Sequence, residues 1–186
     1  YAHPAEVHLR LTAKASSRAQ ADRIIDPMEA QIRAILGSAV YGVDDRTLEE
    51  AVIDLLKDRQ KTVSVAESIT GGWLGQRLTN VPGSGDAFRG GVISYDVGIK
   101  ESVLGVGAAT LKQFGPVSPE TAQEMAANAR KIFKSDYAVS LTGNAGPTPD
   151  VDGKPVGLVF MGIAGPDGIE VKEHHMRGAR SDIRHR

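Results

Sequence analysis

The sequence predicts an α/β fold: a mixed, mostly parallel sheet flanked by helices, preceded by a small α+β module of β-α-β order. Two observations carry this. From residue 62 onward, short apolar runs alternate with segments of helical period, the pattern of strands joined by crossover helices. Near the end, two strand-like runs flank Pro166-Asp167-Gly168, a turn that makes them a hairpin and gives the sheet an antiparallel part. The expected boundary divides residues 1–45 from residues 46–186.

In the first block, "EVHLRLTAKA" places Val7, Leu9 and Leu11 on one face of a strand. "SRAQADRIIDPMEAQIRAIL" follows with Ala21, Ile24, Ile25, Met28, Ile32 and Ile35 near helical spacing, and with Pro27 as a kink or break. "GSAVYGVDD" reads as a short closing strand. The second block opens with "RTLEEAVIDLLKDRQ", where Thr47 and Glu50 have capping-box spacing and Leu48, Val52, Leu55 and Leu56 form a stripe. "TVSVAES" then reads as strand, "GGWLGQRLTNV" as helix, "RGGVISY" as strand and "GIKESVLGV" as a short helix. In "SPETAQEMAANARKIF", Ser118 is a natural N-cap, Pro119 suits the first helical position, and Ala122, Met125, Ala126, Ala129, Ile132 and Phe133 trace one face. "DYAVSLTG" is a buried strand, "NAGPTPDVDGK" a loop, and "PVGLVFMGIAG" with "IEVKEHHM" the hairpin. Residues 181–186 read as the first turns of a helix that has delivered no apolar face, so the last helix is expected to be missing. A start at Tyr1, without Met, is expected of a piece of a longer protein.

Composition narrows the function classes. Of 186 residues, 41% are hydrophobic, enough for a core, and 22 Lys plus Arg balance 23 Asp plus Glu, so no positive field favours nucleic acid. Cysteine is absent, which removes disulfides, thiolate metal sites and a cysteine nucleophile, and a cytoplasmic location is the expectation. No apolar run approaches the roughly 18 residues of a membrane span. No metal site is expected: His174 and His175 are adjacent on a strand and point to opposite faces. No Walker loop occurs, and "GVGAAT" fails as a dinucleotide fingerprint at Thr110.

Three polar loops follow strand-like runs: "ESITGG", "YDVGIK" and "TGNAGP". In an open α/β sheet, loops at the carboxyl ends of strands hold the ligand, so the three are expected to converge. Thr70, Gly71 and Gly72 stand at a helix start, where backbone N–H groups favour a developing oxyanion, with the Ser68 hydroxyl beside them. As local chemistry, this is equally an ordinary capped turn with glycines for close packing. Asp96 is placed to cap the next helix and Lys100 to sit one turn in; burial there favours the neutral amine, which accepts a proton from serine. Taken alone, Lys100 and Tyr95 also read as a solvated lysine and an edge tyrosine. Thr142, Gly143, Asn144 and Gly146 offer donors for phosphate or ribose, or a plain turn. Arg177, Arg180 and Arg184 have the reach for phosphate but equally suit a solvated helix start.

Taken together, "TVSVAESITGGWLGQRLTNVPGSGDAFRGGVISYDVGIKESVLGV", "FGPVSPETAQEMA", "DYAVSLTGNAGP" and "KPVGLVFMGIAG" resemble, in order and spacing, the C-terminal domain of the CinA (competence/damage-inducible) proteins. The resemblance covers roughly residues 47–184, and the first block resembles, less specifically, the KH-like module that precedes that domain. No G-x-x-G loop occurs in residues 1–45, so the KH likeness does not imply RNA binding. The resemblance implies a cofactor- and metal-independent nicotinamide mononucleotide deamidase that releases ammonia and nicotinate mononucleotide. By the same resemblance, Ser68 is the nucleophile and Lys100 the base, directly or through Tyr95, with N–H groups near Gly71 and Gly72 as the oxyanion site. Glu67, Thr70, Gly71, Gly72, Thr142, Gly143, Asn144 and Arg180 are implied to contact the substrate. Thr70 stays open as an alternative nucleophile.

This sequence departs from the family pattern at Ile69, where a small residue is usual, at "YDVGIK" in place of Y-S-N-x-x-K, and at Asn144. A homo-oligomer acting on a pyridine mononucleotide, without membrane or direct nucleic-acid contact, is the expectation. The alternative is a non-catalytic binding module that touches recombination machinery.

Overall fold

The computed structural model describes residues 2–3, 6–150 and 152–185, with side chains from residue 6 onward. The chain divides into two compact units, Tyr1–Leu48 and Glu49–Arg186.

In the first unit, β1 (Ala2–His3) pairs antiparallel with β2 (Glu6–Val7), and α1 spans Arg18–Leu36. The Ser17 hydroxyl caps α1 by accepting from the Gln20 N–H, and Gly37, at φ 53°, ends it. Two sequence expectations are corrected here. The strand expected through "EVHLRLTAKA" stops at Val7, and "GSAVYGVDD" forms a 3-10 turn at Gly37–Ala39 and a loop. An alternating apolar stripe supplies side chains but no hydrogen-bond partners, and without a neighbouring ladder the run is not a strand. Pro27 neither ends nor splits α1. The Arg23 carbonyl that loses its N–H partner belongs to an exposed residue, so the lost bond is not a buried one.

All of α2 (Leu48–Asp58) but its first residue belongs to the second unit, where it drives Ile53 into a cluster with Val63, Val65, Leu78, Val81 and Ala87. Then follow β3 (Val63–Glu67), α3 (Trp73–Thr79), β4 (Phe88–Ile93), α4 (Val97–Ser102), α5 (Ala108–Phe114), α6 (Pro119–Phe133), β5 (Tyr137–Gly143), β6 (Leu158–Gly165), β7 (Gly168–His175) and α7 (Arg180–His185). The sheet order is β4-β3-β5-β6-β7. β3 runs parallel to both β4 and β5, while β5, β6 and β7 pair antiparallel, so the sheet is mixed as its sequence pattern predicts.

Alternation along the central strands sorts side chains between two helical layers. Val63, Val65 and Val139 pack with α2 and α3, whereas Ala66, Ala138 and Ala164 pack against Met125, Ala126 and Ala129 of α6. Ser118 caps α6 through the Thr121 N–H at 3.1 Å, as its position predicts. Ile132, assigned to the apolar face of α6, is instead about half exposed; Thr121 takes a buried position there because its hydroxyl donates to the Gly115 carbonyl at 2.7 Å. α7 also departs from expectation. Short as it is, it delivers Ile183, buried beside Ile69, Leu141, Ala145 and Val159. Among the described residues no helix is long and apolar enough to cross a membrane.

Candidate active site

Because β3, β4 and β5 are parallel, their carboxyl ends lie on one edge of the sheet, and the loops after them meet there. The Ser68 N–H donates to the Leu141 carbonyl at 2.9 Å, which carries the ladder one residue past β3 and fixes the loop to β5. The Ser94 N–H donates to the Glu67 carbonyl at 2.7 Å and does the same toward β4.

Glu67 and Ser68, neighbours in sequence, turn to opposite layers. The Glu67 carboxylate, 1% exposed, accepts from the N–H groups of Gly72 (3.0 Å), Leu74 (3.0 Å) and Gly75 (2.7 Å) at the start of α3. A carboxylate that receives three backbone donors at a helix N-terminus is fully engaged. It is therefore the cap of α3 rather than a group open to substrate.

The Ser68 hydroxyl faces α4. Lys100 Nζ lies 2.8 Å from Ser68 Oγ and donates to the Ser94 carbonyl at 2.5 Å. Lys100 is 1% exposed and Ser68 is 8% exposed. Asp96 caps α4 by accepting from the Gly98 N–H at 2.8 Å, which sets the phase of the helix and turns Lys100 inward one turn later. Burial penalises the ammonium and pulls Lys100 down from the ordinary 10.5 to about 8, with the Asp96 charge opposing the shift. A neutral amine keeps two N–H donors and a lone pair. The Ser94 carbonyl takes one donor, and the lone pair can accept the Ser68 proton.

The turn after Ser68 presents free backbone donors, but not those the sequence suggested. The Gly71 N–H donates to the Ser68 carbonyl at 3.1 Å and the Gly72 N–H to Glu67, so neither is available for an oxyanion. The Ser68–Gly71 bond closes a β-turn with Ile69 and Thr70 at its centre. Neither central N–H has an acceptor among the described residues, and buried Thr70 Oγ1 lacks a partner as well. Gly71 and Gly72 hold φ of 63° and 97°, which turns the chain from this loop into α3. Ile69 points into the apolar cluster with Leu141 and Val159, which is how a large side chain is accommodated beside Ser68.

Other sequence-assigned residues take different places. The Lys100–Ser68 contact is direct, with no Tyr95 between them. Tyr95 is 61% exposed, and its hydroxyl accepts from Arg180 Nη2 at 2.7 Å. Arg180 Nη1 also donates to the Gly146 carbonyl at 2.6 Å, so Arg180 bridges the loops after β4 and β5. Thr142 is fully buried and donates to the Pro116 carbonyl at 2.7 Å, which removes it from substrate contact. Gly143 is closely packed: a Cβ there would lie 2.7 Å from the Leu158 carbonyl and 2.9 Å from Ile69. Asn144 organises its own loop, accepting from the Gly146 N–H and donating to the carbonyls of Thr148 and Lys154. Ser94, which orients the lysine through its carbonyl, has no sequence signal because any residue presents a carbonyl. Among the described residues no three His, Asp or Glu side chains gather as a metal site would require.

Two sequence families match the chain: "CinA C-terminal domain" over residues 45–186 and "Damage-inducible protein CinA KH domain" over residues 1–42. A CinA-like protein of Nostoc punctiforme is 47% identical over 189 aligned residues, covering 100% of this chain and 45% of that protein. One from Crocosphaera subtropica is 49% identical over 168 residues, covering 90% and 41%. The chain thus spans less than half the length of these curated relatives. Among solved structures, the competence/damage inducible protein CihA from Agrobacterium tumefaciens superposes with a TM-score of 0.70 at 36% identity, covering 74% of this chain and 84% of that one. A competence-damaged protein (CinA) superfamily protein from Escherichia coli gives 0.72 at 26%, covering 78% and 87%.

Proposed function

This chain belongs to the CinA family, and from that premise we propose that it hydrolyses the carboxamide of nicotinamide mononucleotide. The single observation that carries the reading is the buried Lys100 Nζ, 2.8 Å from Ser68 Oγ, with its ammonium weakened by burial. In this mechanism neutral Lys100 takes the Ser68 proton as Oγ attacks the carboxamide carbon. The N–H groups of Ile69 and Thr70 receive the charge that develops on the carbonyl oxygen. The C–N bond then breaks, and ammonia leaves with the proton held by Lys100. Water, deprotonated by the same amine, cleaves the ester and releases nicotinate mononucleotide and Ser68. Arg180, exposed between Tyr95 and Gly146, is assigned to the substrate phosphate. The motif resemblance, rather than the dyad, is what selects a pyridine mononucleotide among possible amides.

The test is ammonia release from nicotinamide mononucleotide by the purified chain, compared with Ser68→Ala and Lys100→Ala. Both variants are expected to lose turnover by at least about 10³-fold while keeping a native fold. Undiminished ammonia release by Ser68→Ala would refute the mechanism.

A further inference from the structure

Arg184 lies four residues after Arg180 on α7, yet its guanidinium turns toward the nucleophile turn. Nε donates to the Ile69 carbonyl and Nη2 to the Thr70 carbonyl, both at 3.1 Å. Its neighbour Ile183 is buried in the same cluster as Ile69, so α7 holds this turn by side chain and by carbonyl together. Gly71 makes room for the approach: a Cβ at that position would lie 3.1 Å from Arg184 Nη2.

A trans peptide is planar, with its C=O and N–H pointing in opposite directions. The Ile69 carbonyl shares its plane with the Thr70 N–H, so anchoring the carbonyl on Arg184 aims that N–H away from the guanidinium. A charge-assisted bond to the carbonyl also polarises the amide and strengthens the donor at its other end. We propose that Arg184 is a positioning residue: it grips the Ile69 and Thr70 carbonyls, which holds the turn and fixes the free Thr70 N–H to receive the oxyanion formed at Ser68. This deepens the amidase reading and rests on Ser68 as the nucleophile.

The experiment compares wild type with Arg184→Ala by two readings: steady-state ammonia release, and the rate at which a small fluorophosphonate labels Ser68. A donor array that acts only in the transition state affects kcat rather than KM. Arg184→Ala is expected to lower kcat about 10²-fold with KM within about threefold, to slow labelling in parallel, and to recover part of both rates in added guanidinium chloride. A purely structural loss would not respond to guanidinium. A raised KM at unchanged kcat would overturn the proposal, since Arg184 would then hold substrate; so would wild-type rates in the variant. If the wild type releases no ammonia, the amidase reading fails and labelling alone decides: slowed, guanidinium-rescued labelling upholds the positioning role. Equal labelling of the two proteins, or none in either, overturns it. Should Arg184→Ala lose native fluorescence, Arg184→Lys, which keeps the stem and one donor set, is scored by the same outcomes.

Discussion

Lys100 should make the protein more stable in alkali, by an amount that follows from its burial. An amine that titrates near 8 when folded and near 10.5 when unfolded binds fewer protons in the folded chain over that window. Stability therefore rises with pH between those values. Below about 8 the whole penalty for burying the ammonium is present; above about 10.5 it is gone. At 1.36 kcal/mol per pKa unit, the displacement amounts to about 3 kcal/mol. Lys100→Met removes the titrating group and keeps an unbranched stem in the cavity. The assay is urea unfolding of both proteins across this pH range, followed by fluorescence of the single tryptophan, Trp73, which stacks on His185 at 4.2 Å in the same unit. The wild-type advantage over the variant should grow by about 3 kcal/mol from neutral pH to pH about 10.5, with equal urea slopes. Parallel stability curves would refute the claim that Lys100 is held partly neutral, and with it the base assignment.

Three further outcomes follow from the same geometry. In ammonia release, kcat/KM should rise with pH to a plateau with an apparent pKa of about 8; a profile flat from pH about 6 to 9 would exclude Lys100 as base. Glu67→Gln replaces an acceptor of three N–H groups by an amide with one acceptor oxygen, and should lower stability by about 2–3 kcal/mol in urea while slowing Ser68 labelling. Thr142→Val removes the bond to the Pro116 carbonyl and should destabilise by about 1 kcal/mol with KM unchanged; a tenfold rise in KM would restore Thr142 to the substrate site.

How far the sequence led depended on the kind of signal. Ser118-Pro119 and the α6 stripe are local codes for a helix start and a buried face, and they were readable because capping and period need no knowledge of partners. The convergence of three loops was readable too, since parallel strands place their carboxyl ends together. What a side chain does inside the converged site was not. Thr142 and Asn144 are chemically apt for ribose or phosphate, but which acceptor each meets depends on the Pro116 carbonyl and the loop at 148–154, tens of positions away in one case and folded back in the other. The glycines mark a helix start, yet Glu67, five residues before Gly72, takes a donor that an oxyanion would otherwise receive. In the first unit, period-two apolar spacing at Val7, Leu9 and Leu11 suggested a strand where the ladder to sustain it ends at Val7.

The two-residue repeat of β3 also bears on how this chain can vary. Glu67 and Ser68 divide between the two layers only because they have opposite parity along the strand. With the start of the strand held in register, deleting one residue between Val63 and Glu67 would turn the carboxylate toward the α6 layer, where Ala66 packs, and bring the hydroxyl to the start of α3. The lysine would then lose its hydroxyl partner, and the helix would lose its cap in the same event. A substitution in this strand acts at its own position, whereas a change in the strand's length moves every side chain that follows it.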